Sequence, residues 1–365
     1  MKVAILHDYL NQYGGAERVL EVLLEMFPEA DVYTLLYDKE KVQGKFEKNV
    51  AGTSVLNIKP IRKKHRLFIP FMPFATKTIS QKKEYDLVLS STSGYAKGFP
   101  ITGTYHICYC LSPLRYAWER EYLKALPFAP WALSQAIFHP IANMLRKWDK
   151  RASQIPNLFI ADSEYIAEKV NTYYERECGV LYPPVDTNIF FGETGRKRED
   201  FYLMAGRLLY YKGFDIGIKA FNDLGKRLLI VGSGPELENL KQMKKSANIE
   251  FITNAGDADL RKFYSRAKAF IFPQIEDFGL TAAEAQTCGT PVIAYDVGGG
   301  AEIVEHKKTG ILFHEQSPES LKNAIEKFER TSFDERYIKK RAERFSKKAF
   351  KENLLKIIYE SGVHS

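Results

Sequence analysis

The chain has 365 residues, 45% hydrophobic and 27% charged, too long for one core and too apolar for disorder, so two domains of about 150–200 residues are expected. Lysine and arginine outnumber aspartate and glutamate 53 to 45, a formal charge of +8, which points to an acidic partner such as a nucleotide, a nucleic acid or an anionic membrane. No apolar run reaches the roughly 18 residues of a membrane span, the Val3–Leu6 run is too short for a secretory signal, and Cys108, Cys110, Cys178 and Cys288 lack zinc-ribbon or disulfide-framework spacing, so a cytoplasmic protein with free thiols is expected.

Val3–Leu6 reads as a buried strand, followed by a Gly14-Gly15 loop and a helix with Val19, Leu20, Leu23, Leu24 and Phe27 on one face. The glycine pair permits close approach of a ligand to the backbone, but serves a tight turn equally well. Between Glu47 and Glu84 there is no acidic residue, while Lys48, Lys59, Arg62, Lys63, Lys64, Arg66, Lys77, Lys82 and Lys83 interleave with the apolar Leu67–Phe74 run. Further strands are expected at Asp31–Thr34, Asp86–Ser90, Tyr105–Cys110 and Leu158–Ala161, alternating with helices as in a parallel sheet covered on both faces.

The pattern restarts after Tyr182-Pro-Pro-Val-Asp186, with strands expected at Tyr202–Ala205, Leu228–Val231, Ile249–Ile252, Ala269–Phe272 and Pro291–Tyr295. Proline restricts both itself and the residue before it, so the Pro183-Pro184 pair marks the boundary, giving domains 1–183 and 184–345. The amphipathic helix expected over 346–365, carrying Phe350, Leu354, Ile357 and Ile358, returns to the first domain.

Three segments of the second domain carry chemistry. Ala205-Gly206-Arg207 through Lys212-Gly213 follows the first strand, placing two cations outside a strand's carboxyl end, where ligands of open α/β sheets bind; a solvated surface pair is the plain alternative. Val231-Gly232-Ser-Gly-Pro235 is a fragment of a dinucleotide fingerprint without its third glycine, which argues against an NAD enzyme. Glu276-Asp-Phe278-Gly279-Leu280-Thr281-Ala-Ala-Glu284 runs from a strand into a helix whose first amides favour phosphate. Its two carboxylates could accept from sugar and ribose hydroxyls, although Thr281-x-x-Glu284 equally fits a capping box. Asp257-Ala-Asp259 resembles a metal-binding D-x-D, but reads better as a helix N-cap.

With His7-Asp-Tyr-Leu10, Gly14-Gly-Ala-Glu-Arg18, Ala96-Lys-Gly98, Ile107-Cys-Tyr-Cys110, Pro113-x-Arg-Tyr-x-Trp118 and Tyr182-Pro-Pro-Val-Asp186, these segments resemble retaining glycosyltransferase family 4 over nearly the whole chain, in particular its WbaZ-like mannosyltransferases. The resemblance implies an α/β, GT-B fold of two Rossmann-like domains with parallel sheets facing across a cleft, and a metal-independent reaction without cofactor. Mannose would pass from GDP-mannose to a glycan or lipid-linked acceptor in surface-polysaccharide assembly.

By the same resemblance Glu276 and Phe278 to Leu280 contact the transferred sugar, Glu284 the ribose, and Arg207 with Lys212 the diphosphate, with Gly14, Gly15, Gly232 and Thr281 completing the donor site. Arg207, Lys212 and Glu276 are then the residues nearest the reaction, and Lys97, His106, Ser112 and Arg115 are acceptor-side candidates. Where relatives read Cys-His-Thr-Pro this chain has Cys110-Leu111-Ser112-Pro113, so the expected histidine is absent. Leu111 keeps a catalytically weak nucleotide-sugar-binding homologue as an alternative, and a GT-B-fold nucleotide-sugar epimerase is a second one. The basic, apolar stretch Lys59 to Lys83 suits an anionic membrane surface, with Phe68, Phe71, Met72 and Phe74 entering the interface. It lacks the recognition helix that DNA binding would require.

Overall fold

The computed structural model describes residues 1–119, 122, 131–192 and 198–363, with side chains described outside 131–138. The chain forms two compact units, Met1–Leu181 with Lys351–Ser365, and Tyr182–Phe350. The change of unit falls just before Pro183 because Tyr182 packs its ring on Phe278 and Phe345, and Val185 bridges to Ser346. The C-terminal helix Lys347–Glu360 joins the first unit from Lys351, whose ammonium lies 2.7 Å from Glu25.

The first unit is built from β1 (Val3–Leu10), α1 (Gly15–Met26), β2 (Asp31–Tyr37), β3 (Val50–Thr53), β4 (Tyr85–Thr92), β5 (Gly103–Cys110), α2 (Trp131–Ala152), β6 (Leu158–Ala161), α3 (Glu164–Tyr174) and β7 (Gly179–Val180). Its seven strands run in the order β3-β2-β1-β4-β5-β6-β7, every pair parallel. The order reverses between β1 and β4, and buried Asp8 ties these strands together beyond the switch. Its carboxylate accepts from the Thr92 hydroxyl at 3.0 Å and from the Ser93, Tyr95 and Ala96 amides at 2.5, 2.8 and 2.6 Å.

The second unit contains β8 (Tyr202–Ala205), α4 (Phe214–Leu224), β9 (Leu228–Val231), β10 (Ile249–Ile252), α5 (Asp257–Arg266), β11 (Phe270–Phe272), α6 (Leu280–Thr287), β12 (Val292–Tyr295), a short turn of helix at Gly299–Ile303, β13 (Gly310–Phe313) and α7 (Pro318–Glu329). Its six parallel strands run β10-β9-β8-β11-β12-β13, reversing between β8 and β11. Period-2 side-chain alternation builds one core on each face. Leu203, Ala205, Leu229, Phe270 and Phe272 pack with Ala282, Ala283 and Tyr264 on one side, and Tyr202, Met204, Ile230 and Ile271 with Phe221, Leu321 and Ile325 on the other.

Candidate functional site

In an open parallel sheet, ligands bind beyond the carboxyl ends of the strands where the order reverses. In the second unit that place lies beyond Ala205 and Phe272, and two loops meet there. The loop after β8 turns at Gly206 (φ 144°), passes exposed Arg207, and ends in a single helical turn, Tyr210–Lys212. Gly213 then adopts φ 64°, and a Cβ there would stand only 3.0 Å from Pro273 Cγ, so the chain carrying Lys212 lies directly on the loop after β11.

Lys212 Nζ thereby reaches within 2.5 Å of Glu276 Oε1, with 19% and 20% of the two side chains exposed. The contact is an ion pair by distance, but it is not aligned as a hydrogen bond, and Oε1 is a buried oxygen with no hydrogen-bond partner. Arg207 projects nearby in sequence, and no ion pair involves it among the described residues.

The loop bearing Glu276 is clamped from below by Gly298-Gly299-Gly300, residues outside the motifs named from sequence. Gly299 N donates to Glu276 O at 2.9 Å, and a Cβ on Gly299 would fall 1.9 Å from Phe278 O. Gly298, at φ 77°, leaves room for Glu276 O, 2.6 Å from where its Cβ would stand. Three consecutive glycines after a strand signal such a close backbone approach.

Phe278 turns its side chain inward. Its ring is buried, 5.6 Å from Tyr182 and 5.3 Å from Phe345, so only its backbone can serve a ligand. Gly279 (φ 103°) is the N-cap of α6, and a Cβ there would meet Phe272 Cζ at 2.7 Å, so no residue with a capping side chain fits. Leu280 and Thr281 are then the first helical residues, half-buried, with amides that have no acceptor within the helix. The capping-box alternative therefore fails, since Thr281 lies inside the helix. Buried Glu284 instead accepts from the Tyr264 hydroxyl at 3.2 Å.

Gly232 has a packing explanation: at φ 146° its Cβ would stand 1.9 Å from Gly206 O, so the β9 loop presses against the Arg207 loop and supports it. Leu208 N donates to Ser233 O at 2.9 Å across the same contact. Asp257 and Asp259 occupy the first turn of α5, whose N-cap is Gly256, correcting the expected aspartate cap. Among the described residues no three His, Cys, Asp or Glu side chains gather as metal ligands.

In the first unit, Gly14 caps α1 and donates its amide to Glu17 Oε2 at 2.7 Å, with exposed Gly15 opening the helix. The other Glu17 oxygen is 3.8 Å from His7 Nε2, and His7 Nδ1 is buried without a partner. Three acceptor-side candidates lie in the interior. Lys97 is fully buried, 2.6 Å from Asp149, and donates to Gly94 O, so it stabilises the core and cannot reach a ligand. His106 lies within β5, 3.0 Å from Ser90 Oγ, and burial pushes its pKa down to about 4, so it is a neutral structural histidine. Ser112 is also buried, with its hydroxyl on Pro113 O and receiving Arg115 Nε at 3.2 Å. Leu111, half-buried, follows β5 directly. All four cysteines are free.

The basic segment folds as three short helical pieces, Lys59–Lys63, His65–Phe71 and Met72–Thr76. Asn11 contacts His65 Nδ1 at 3.0 Å and Arg62 donates to Tyr37 O at 2.6 Å, which fixes the segment beyond the carboxyl ends of β1 and β2. Phe71 and Phe74 are 59% and 66% exposed, with Ile58, Lys59, Lys63, Lys64, Arg66 and Lys77 exposed beside them in sequence. Met72 is buried and Phe68 packs partly against the core, which corrects their expected place at a membrane interface.

Two parallel α/β units of seven and six strands form the GT-B fold, and the second carries a cation–carboxylate pair at its switch point. Residues 185–352 match the family model for glycosyl transferases group 1, and residues 13–189 match that for glycosyltransferase family 4; the chain belongs to the glycosyltransferases of this group 1 and family 4 type. It is 24% identical over 324 residues to an uncharacterized glycosyltransferase of Methanocaldococcus jannaschii, covering 80% of this chain and 78% of that one. A D-inositol 3-phosphate glycosyltransferase of Jonesia denitrificans is 31% identical over 51% of this chain and 48% of its own. A GDP-mannose-dependent phosphatidylinositol monomannoside mannosyltransferase of Mycobacterium tuberculosis is 30% identical over 40% of this chain and 45% of its own. The chain thus spans about half the length of these two relatives. Among solved structures, sucrose-phosphate synthase from Thermosynechococcus elongatus has a TM-score of 0.69 at 18% identity over the whole of both chains. Anabaena HepE in complex with UDP-glucose gives 0.66 at 17% identity, over 99% of this chain and all of that one.

Proposed function

We propose that this protein is a retaining, metal-independent glycosyltransferase that moves mannose from GDP-mannose to a glycan or lipid-linked acceptor in surface-polysaccharide assembly. The observation that carries the reading is the Lys212–Glu276 pair beside the first turn of α6, at the β8/β11 switch. Arg207 and Lys212 bind the diphosphate, Glu276 accepts from hydroxyls of the transferred sugar, and Glu284, held by Tyr264, accepts from the ribose. Mannose and GDP rest on the WbaZ-like motifs and on the GDP-mannose dependence named for the mycobacterial relative.

As the sugar–phosphate bond breaks, charge grows on the leaving diphosphate, where Arg207, Lys212 and the α6 amides stabilise it. The acceptor oxygen bonds to the anomeric carbon on the same face, and its proton passes to the leaving phosphate. No carboxylate nucleophile takes part, and the two cations with the helix start take the charge-neutralising role of a divalent metal. The product linkage should therefore keep the donor's anomeric configuration, with full activity in EDTA. NMR of the product showing inversion, or free epimerised sugar released without acceptor, contradicts this. Leu111 favours one second reading, a nucleotide-sugar-binding homologue of low turnover.

The acceptor is taken at an anionic membrane surface, against which Phe71, Phe74 and the neighbouring lysines rest. Sedimentation with phosphatidylglycerol vesicles should pull the protein down at low salt and lose it at high salt, and serines at Phe71 and Phe74 should weaken it several-fold. Binding indifferent to lipid charge and salt would count against membrane contact.

A further inference from the structure

We infer that the Lys212–Glu276 ion pair makes the donor site discriminate against its own product, the nucleoside diphosphate, and so drives product release; this rests on the donor-site reading above. The two groups assigned to different parts of the donor are 2.5 Å apart with only about a fifth of each exposed. Each therefore holds the place of the other's ligand while the site is free.

A diphosphate arriving alone can take Lys212 only by drawing it from Glu276. The carboxylate then stays largely buried without its cation, a costly state. Its Oε1, buried and without a hydrogen-bond partner, would have nothing to accept. An intact nucleotide sugar brings the remedy with it, because the sugar hydroxyls donate to Glu276 as the diphosphate engages Lys212. Once the sugar has left, Glu276 loses those donors and recovers Lys212 from the product. Arg207, exposed and outside this pair, lacks such competition and serves both ligands alike.

The pair thus acts as a specificity device for the sugar-bearing ligand. A carboxylate can also oppose a diphosphate by plain charge repulsion, and a double-mutant cycle separates the two effects. Isothermal titration with GDP, UDP and their sugar conjugates is performed on the wild type, Glu276→Gln, Lys212→Met and the double variant. In Glu276→Gln the diphosphate should bind about five- to tenfold more tightly, the equivalent of losing one partly buried ion-pair competitor. The nucleotide sugar should gain nothing or weaken, so that the preference for it over the diphosphate collapses. In the Lys212→Met background the same Glu276 change should leave diphosphate affinity within about twofold.

Equal tightening in both backgrounds would assign the effect to general repulsion and overturn the inference, as would weaker diphosphate binding in Glu276→Gln. If no nucleotide or nucleotide sugar binds even the wild type, the donor-site reading itself falls. Matched far-ultraviolet circular dichroism and melting curves check that each variant folds.

Discussion

Lys212→Met lowers kcat by about 10²–10³, the usual loss when one preorganised group facing developing charge is removed. Lys212 is held for this role by Gly213, whose φ of 64° and contact with Pro273 fix the loop against the strand end that carries Glu276. The ammonium faces charge that is larger in the transition state than in the bound donor, so kcat should fall more than KM rises. The fold should persist with a modest loss of stability, because the fifth of Glu276 left exposed lets water reach its unpaired carboxylate in the ligand-free protein. Initial rates with saturating donor give the measurement, and a drop of less than about threefold would remove Lys212 from the reaction.

Lys97→Met destabilises the first unit by about 3–5 kcal/mol, because it strands a buried carboxylate. Lys97 and Asp149 are both fully buried, and the ammonium meets Asp149 Oδ1 at 2.6 Å as an ion pair rather than an aligned hydrogen bond. Asp149 Oδ2 accepts from Trp118 Nε1 at 2.8 Å and from the Tyr174 hydroxyl at 2.7 Å, so one carboxylate joins the loop after β5 to α2 and α3. Neither neutral donor replaces the lost charge. Adding Asp149→Asn should restore much of the loss, since the remaining amide needs no counter-ion. Urea unfolding followed by tryptophan fluorescence should show a lower midpoint at unchanged slope. A loss under about 1 kcal/mol would mean that water or another cation reaches Asp149.

The same lysine shows where sequence stops being informative. Lys97 reads as an acceptor-side cation in the Ala96-Lys97-Gly98 motif, and the partner that buries it lies 52 positions later in a helix. Phe278 is similar: its neighbours Glu276 and Gly279 shape the loop, but the ring's inward direction is set by Tyr182 and Phe345, from distant parts of the chain. Alternation of apolar runs made most of both sheets legible, including Leu158–Ala161 and Leu228–Val231 at their observed limits. Strands β3 (Val-Ala-Gly-Thr), β7 (Gly-Val) and β13 (Gly-Ile-Leu-Phe) escaped because each contains a glycine, which shortens its run of bulky apolar residues. Arg207, Lys212 and Glu276 could be named because each follows a strand. What sequence could not show is that Lys212 and Glu276 meet each other, nor that Gly298 to Gly300 hold the loop in place.

The central claim, that the second unit's switch point binds a nucleotide sugar, is tested most directly by a thermal-shift panel of GDP, UDP, dTDP and ADP with their sugar conjugates. One base should raise the melting temperature, its sugar conjugate more than its diphosphate, and Arg207→Met with Lys212→Met should abolish both shifts. If no ligand in the panel stabilises the wild-type protein at millimolar concentration, the account is wrong.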